Sequence, residues 1–178
     1  MTDPRTSNRS SKFILKIKGP FMKEIALTQG YITIVDDEDY EMLVSFGSWY
    51  AKKTAKDGLV YAVCSVKNRQ IQMGRVITSC PKGKVVDHIN GSALDNRRSN
   101  LRVCYQRENM MNQAPHKGTA SGYKGVRWDK EKKRWRAEIE YDGKRYSLGR
   151  HRDIKNAAIA YNNAAIKYHG EFARLNEI

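Results

Sequence analysis

VVDHINGSALDNRRSNLRVCYQRENMMN, residues 85–112, changes character three times, and its reading decides the architecture. Val85-Val86 is an apolar strand start that delivers Asp87-His88, and a polar turn containing Asn96 follows. Asn100-Leu101-Arg102-Val103-Cys104 reads as a return strand, and Gln106 to Gln113 as a short helix. The segment therefore predicts a β-β-α unit with an acid and an imidazole at the end of its first strand.

Upstream, Phe13-Ile14-Leu15, Tyr31 to Val35, Val60 to Val63 and Ile71-Gln72-Met73 are short apolar or alternating runs between glycine-containing turns, which predicts strands. Asp36-Asp37-Glu38-Asp39 precedes Tyr40, Met42, Leu43 and Phe46 at helical spacing, so carboxylates sit at the positive end of a helix dipole. Downstream, Asn112 to Gly122 has Pro, Gly, Ser and Thr without apolar periodicity, and composition changes across it. The division expected is a basic tail with a first strand over 1–20, a domain over 21–113, a linker over 114–121 and a second domain over 122–178. That second domain shows alternating segments at Tyr123 to Trp128, Arg134 to Tyr141 and Lys144 to Leu148, with an Asp142-Gly143 hairpin turn. Asp153 then caps a helix whose Ala157, Ala158, Tyr161, Ala164, Ala165 and Tyr168 form one stripe, closed by Gly170. The fold class is α+β: a ββα unit joined to a three-stranded antiparallel sheet packed on one helix.

The chain has 178 residues, 33 Lys and Arg against 19 Asp and Glu, and a formal charge of +14. Such a balance suits a polyanion, nucleic acid foremost, better than a small-molecule substrate. No run approaches the roughly 18 apolar residues of a membrane span. The polar start MTDPRTSNRSSK lacks the apolar core of an export signal, so the cell interior is expected. Arg5, Arg9 and Lys12 of the tail can touch phosphate. Cys64, Cys80 and Cys104 are odd in number and lack a Cys-x-x-Cys pair, which points to small thiols and away from a disulfide framework or zinc knuckle.

Adjacent Asp and His at a strand end can supply a hard oxygen ligand and a base titrating near neutrality, and an Asn on a facing helix a second oxygen ligand. Those are the parts of metal-assisted phosphodiester hydrolysis, with water as nucleophile and a cation against developing charge.

The segment resembles the HNH endonuclease family, in the branch whose third motif residue is Asn and which includes homing endonucleases of phage introns. The likeness extends over roughly residues 24 to 113 through IALTQGYITIVDDEDYEML, YAV and IQMGR. It implies that His88 is the general base, that Asp87 and Asn109 bind the metal, and that Asn100 braces the loop carrying His88. Asn96 competes for the bracing role and Asn112 for the ligand role. Oxygen-only ligation favours magnesium or manganese. Related chains commonly read Met-His-Arg where this one has Met73-Gly74-Arg75. The resemblance also implies a cytoplasmic enzyme inside a host cell.

In the second domain, alternation separates Trp135, Ala137 and Ile139 from Arg136, Glu138 and Glu140, and Tyr146 and Leu148 from Arg145 and Ser147. GYKGVRW, RWRAEI, RYSLG and AAIAYNNAAIKYHGEFARLN resemble the plant ethylene-response-factor (APETALA two) DNA-binding domain across residues 122 to 176. That family docks its sheet into the major groove. By position, Lys124, Arg127 and Arg145 fall on its DNA-contacting arginines, with Trp128, Lys130 and Arg134 nearby and Arg136 on the polar face. Glu140 and Ser147 depart from it, replacing an Arg and a Trp. Trp135 is expected in the core.

Two functions follow as expectations: a metal-dependent endonuclease directed to double-stranded DNA by its second domain, or a DNA-binding regulator on an inactive scaffold. RNA binding is disfavoured by the lack of a ribonucleoprotein-type aromatic motif. The enzyme is expected as a monomer whose single site cuts one strand per visit.

Overall fold

The computed structural model describes residues 22–55, 58–115 and 118–178. Phe13-Ile14-Leu15 and the basic tail residues lie outside them. Strands β1 (Met22–Ala26) and β2 (Ile32–Asp36) pair antiparallel, and β2 runs directly into helix α1 (Asp37–Phe46). Asp37, Glu38 and Asp39 occupy its first turn, as the acidic run predicts. Strands β3 (Trp49–Lys53), β4 (Val60–Val66) and β5 (Arg69–Gln72) form an antiparallel sheet, and helix α2 (Met73–Ile77) begins where β5 ends. Met73 is therefore the first residue of a helix and not the last of a strand. The fully buried Met73 side chain belongs to the core.

That core joins Leu27, Val35, Leu43, Trp49, Ala51, Ala62, Cys64, Met73, Ile77 and Leu101. The Trp49 indole N–H donates to the Leu43 carbonyl at 2.8 Å, so α1 has one of its end carbonyls satisfied and Trp49 buries without an orphan donor. The ββα unit then follows as β6 (Val85–His88), β7 (Leu101–Cys104) and α3 (Gln106–Asn112). Asn100 closes a short 3-10 turn, Arg98–Asn100, and is not part of the return strand. The loop between the strands is pinned to β2 by Ile34 N–H to Leu94 O at 3.0 Å and Asn96 N–H to Ile34 O at 2.8 Å.

The second module has β8 (Val126–Asp129), β9 (Arg134–Tyr141) and β10 (Lys144–His151) in the order β10-β9-β8, covered on one face by α4 (Ile154–His169). β10 runs on to His151 through an irregularity between Ser147 and Arg150. Asp153 caps α4 by accepting the Lys155 N–H, and Gly170 ends it, both as the sequence predicts. Val126, Ala137, Ala157 and Ala158 make one half of this core, and Ile139, Tyr161, Ala164 and Ala165 the other. The alanines let the helix lie close to the sheet. Gly125, at φ +73, takes the closest approach, because a Cβ there would lie 2.1 Å from the Tyr161 ring.

The modules touch along a seam. The Lys124 ammonium donates to the carbonyls of Met111 at 2.6 Å and Gln113 at 2.7 Å at the end of α3. Arg174 reaches the Asn90 carbonyl at 3.3 Å, and Arg102 bonds the Glu171 carbonyl at 2.6 Å.

Candidate active site

Strand β6 ends on Asp87 and His88, and its pairing with β7 sets Asp87 opposite Arg102 and His88 opposite Leu101. Asp87 is buried, yet its carboxylate is fully engaged: Arg102 Nη2 lies 2.5 Å from one oxygen, and Asn112 Nδ2 lies 3.0 and 3.1 Å from the two. Asn112 also donates to the carbonyls of His88 and Ile89, at 3.1 and 3.3 Å. With every neighbour of that nitrogen an acceptor, the amide turns its NH2 toward β6 and acts as a brace for the strand end. Asn109, three residues earlier on α3, makes no side-chain hydrogen bond to another described residue.

The His88 ring is held at Nε2, 3.3 Å from Asn96 Oδ1, and meets the Tyr61 ring edge-on at 6.1 Å between centroids. Burial pushes its pKa below the ordinary imidazole value, partly offset by the Asn96 bond and the charges of Asp87 and Asp95. Burial thus favours the uncharged ring, the state a proton acceptor requires.

Asn100 and Asn96 divide the bracing between them. Asn100 Oδ1 accepts the Asn90 N–H at 2.9 Å while its Nδ2 donates to the Asp95 carbonyl at 2.8 Å, closing both ends of the loop. Asn96 instead touches His88 directly. Asp95 is bound by Arg97 at 2.8 and 2.7 Å, which holds its carboxyl below the usual range. Gly74 faces the same place: a Cβ there would stand 3.2 Å from Val86 Cγ1 and 3.4 Å from Asn96 Oδ1. A histidine at position 74 would have to displace those groups.

The donor set suits a hard dication held by few protein oxygens. The expected oxygen donors are the Asp87 carboxylate, whose two oxygens are already taken by Arg102 and Asn112, and the side-chain oxygens of Asn109 and Asn112, neither of which accepts a hydrogen bond from a described residue. Among the described residues no cluster of three His, Cys, Asp or Glu side chains could hold a metal ion by itself, and all three cysteines are free thiols. No helix among the described residues is long and apolar enough to cross a membrane.

On the second module, the register Arg127↔Arg136 and Arg145↔Glu140 puts these residues on one face, opposite α4. The face also holds carboxylates. Glu138 lies 2.5 Å from Arg127 and 3.1 Å from Arg136, Asp129 lies 2.8 Å from Arg150, and Glu140 lies 3.8 Å from Arg145. Arg134 pairs with Asp129 at the start of β9, and exposed Lys130 lies in the turn before it.

Two of the expected contact residues sit elsewhere. Lys124 is turned onto the end of α3, where burial and the Arg174 charge push its pKa down to about 8. Trp128 pairs with Trp135 on the α4 side of the sheet, their rings edge to face at 5.0 Å, although Trp128 remains 44% exposed. Trp135 packs against the core as expected. Thr33, Arg102 and Tyr61 also join the site; each lies in a stretch that resembles the HNH endonuclease family, and nothing in its residue type alone marks it as functional.

Comparison with known proteins agrees with this geometry. Residues 79–111 match the HNH endonuclease family and residues 121–171 the AP2 domain. An uncharacterized HNH endonuclease of Acanthamoeba polyphaga mimivirus is 33% identical over 142 residues, covering 76% of this chain and 70% of that protein. Protein 3.8 of Escherichia phage T7 is 36% identical over 94 residues, 53% of this chain and 77% of the relative. No solved structure matches the chain. The ββα hairpin with its Asp-His strand end, the bracing asparagines and these matches lead to one conclusion: the chain belongs to the HNH endonuclease family and carries an AP2 domain in its C-terminal part.

Proposed function

We propose that the chain is a metal-dependent DNA endonuclease of the homing-endonuclease type that hydrolyses phosphodiester bonds in double-stranded DNA, with His88 as general base. The observation that carries this reading is the placement of the His88 imidazole at the end of the β6 strand, held by Asn96 at 3.3 Å, one residue from the carboxylate of Asp87. His88 takes a proton from the attacking water as its oxygen bonds to phosphorus and the opposite P–O bond breaks. Asp87 and Asn109 would hold magnesium or manganese, which supplies charge neutralisation at the phosphate and the leaving oxygen. Asn100 and Asn112 keep the loop and strand end rigid, so the reacting groups stay oriented.

The AP2 sheet presents Arg127, Arg134, Arg136 and Arg145, with Lys130 at its edge, to the duplex. A two- or three-stranded sheet fits the major groove. The face carries fewer free cations than its arginine count suggests, since Glu138, Glu140 and Asp129 pair with several of them.

A second reading, a DNA-binding regulator on an inactive scaffold, draws on the engagement of both Asp87 oxygens by Arg102 and Asn112. Supercoiled plasmid incubated with purified full-length protein, with and without magnesium, separates the two. The enzyme reading expects metal-dependent nicking by wild type and none by His88→Ala at unchanged DNA affinity. Binding without cleavage at any divalent ion would reject it.

A further inference from the structure

Thr33 is fully buried on β2 and Asn96 is 1% exposed, so solvent supplies neither with a hydrogen-bond partner. Thr33 Oγ1 lies 2.8 Å from the Leu94 carbonyl and 2.9 Å from Asn96 Nδ2. A hydroxyl has one proton, and a carbonyl can only accept, so that proton goes to Leu94. The alternative acceptor, Met73 Sδ, is 4.0 Å away and weaker.

The Thr33 oxygen therefore faces Asn96 as an acceptor, and Asn96 must present its NH2 there. The Ala93 carbonyl, 3.5 Å from the same nitrogen, asks for the same orientation. The amide oxygen is left pointing at His88 Nε2. An amide oxygen cannot donate, so Nε2 carries the ring hydrogen and Nδ1 keeps the lone pair. Gly74 and Met73, both on α2, pack against this chain of groups and leave it little room to rearrange.

We propose that the Leu94 carbonyl, Thr33 and Asn96 form a relay that fixes the tautomer of His88, making Nδ1 the proton-accepting atom. Thr33 and Asn96 are positioning residues. Neither touches the reacting atoms. The assignment of Nδ1 as the base rests on the nuclease reading, whereas the tautomer itself does not.

The test is nitrogen-15 NMR of the imidazoles in the full-length protein at about pH 8, where a histidine of ordinary pKa is neutral. Wild-type His88 is expected almost wholly as the Nε2–H form. Thr33→Val keeps the volume and removes the hydroxyl, so the Nε2–H preference should fall by on the order of fivefold, the ratio that one net hydrogen bond sustains. Thr33→Ser should restore it. In plasmid nicking, kcat of Thr33→Val should follow the remaining fraction of Nε2–H His88 while KM stays the same.

A wild-type His88 carrying its hydrogen on Nδ1 overturns the relay without any variant. So does a tautomer ratio that Thr33→Val leaves unchanged. If the ratio responds as expected and wild type cuts no DNA, the relay stands and the nuclease reading falls.

Discussion

Replacing Arg102 by Met removes a cation from a side-chain pair exposed only 13% and 5%, and leaves the buried Asp87 carboxylate without its cation. Removing one partner of a buried ion pair costs about 3–5 kcal/mol, most of it the penalty of the unpaired charge. The same substitution removes the charged donor to the Glu171 carbonyl, a bond worth about 1.5–3 kcal/mol where it is well formed. It also removes the guanidinium lying 3.8 Å from the Phe172 ring centre. These losses share one side chain and do not add, and the buried Nε of Arg102, which has no partner, offsets part of them. A net loss of about 3–5 kcal/mol is therefore expected. Urea unfolding of the full-length chain, followed by tryptophan fluorescence, measures it. Asp87→Asn supplies the control: in the Arg102→Met background it should recover part of the loss, because it removes the stranded charge, whereas in wild type it should destabilise. A loss below about 1 kcal/mol, the range of exposed pairs, would refute the idea that Arg102 braces the Asp87 carboxylate.

The pH dependence has a definite sign. Because burial lowers the His88 pKa in the folded chain, the stability that comes from keeping its ring neutral is present above about pH 6.5 and lost as pH falls below it; the acid limb of kcat/KM should likewise fall below that value, and a limb above it would assign the base elsewhere. Glu138→Gln frees Arg127 and Arg136 from a shared carboxylate whose side chain is itself only 13% exposed, so DNA affinity should rise and the salt slope steepen by about 1 for each additional phosphate neutralised; unchanged binding across a salt series would place the duplex elsewhere. A chain ending at Ala114 loses the Lys124, Glu171, Phe172 and Arg174 interactions with the ββα unit, so it should cut with a lower rate as well as lower selectivity; an unchanged rate at cognate and random sites would make the seam irrelevant to catalysis.

The parts of this molecule legible in its sequence are those whose cause is local. The ββα unit could be read because period, turn residues and the spacing of Asp87, His88 and Asn100 all lie within one short segment. α4 could be read because Asp153, the alanine stripe and Gly170 mark its start, face and end. The run Ile71-Gln72-Met73 misleads because an apolar triplet carries no period, and here the strand hands over to a helix inside it. β1 and β3 escape for a related reason: MKEIA and WYAKK are five-residue strands, and the first is mostly exposed. Alternation counted from Val126 already assigns Trp128 to the covered face, so its place was available from parity alone.

Lys124 and Arg102 differ in kind. The end of α3 that Lys124 caps and the Glu171 carbonyl that Arg102 bonds belong to the opposite module, and no periodicity within one module predicts a partner in the other. Thr33 stands 63 residues from the amide it orients. Each of these residues links segments that the sequence presents as independent. The Thr33–Asn96 link is buried as well as distant, so displacing either end would leave a polar group unpaired. The ββα hairpin is thus held from two sides, by β2 through Thr33 and by the AP2 domain through Arg102. Rigidity of Asp87 and His88 is a property of the whole chain, and substitutions remote from the Asp-His pair should reach it through those two links.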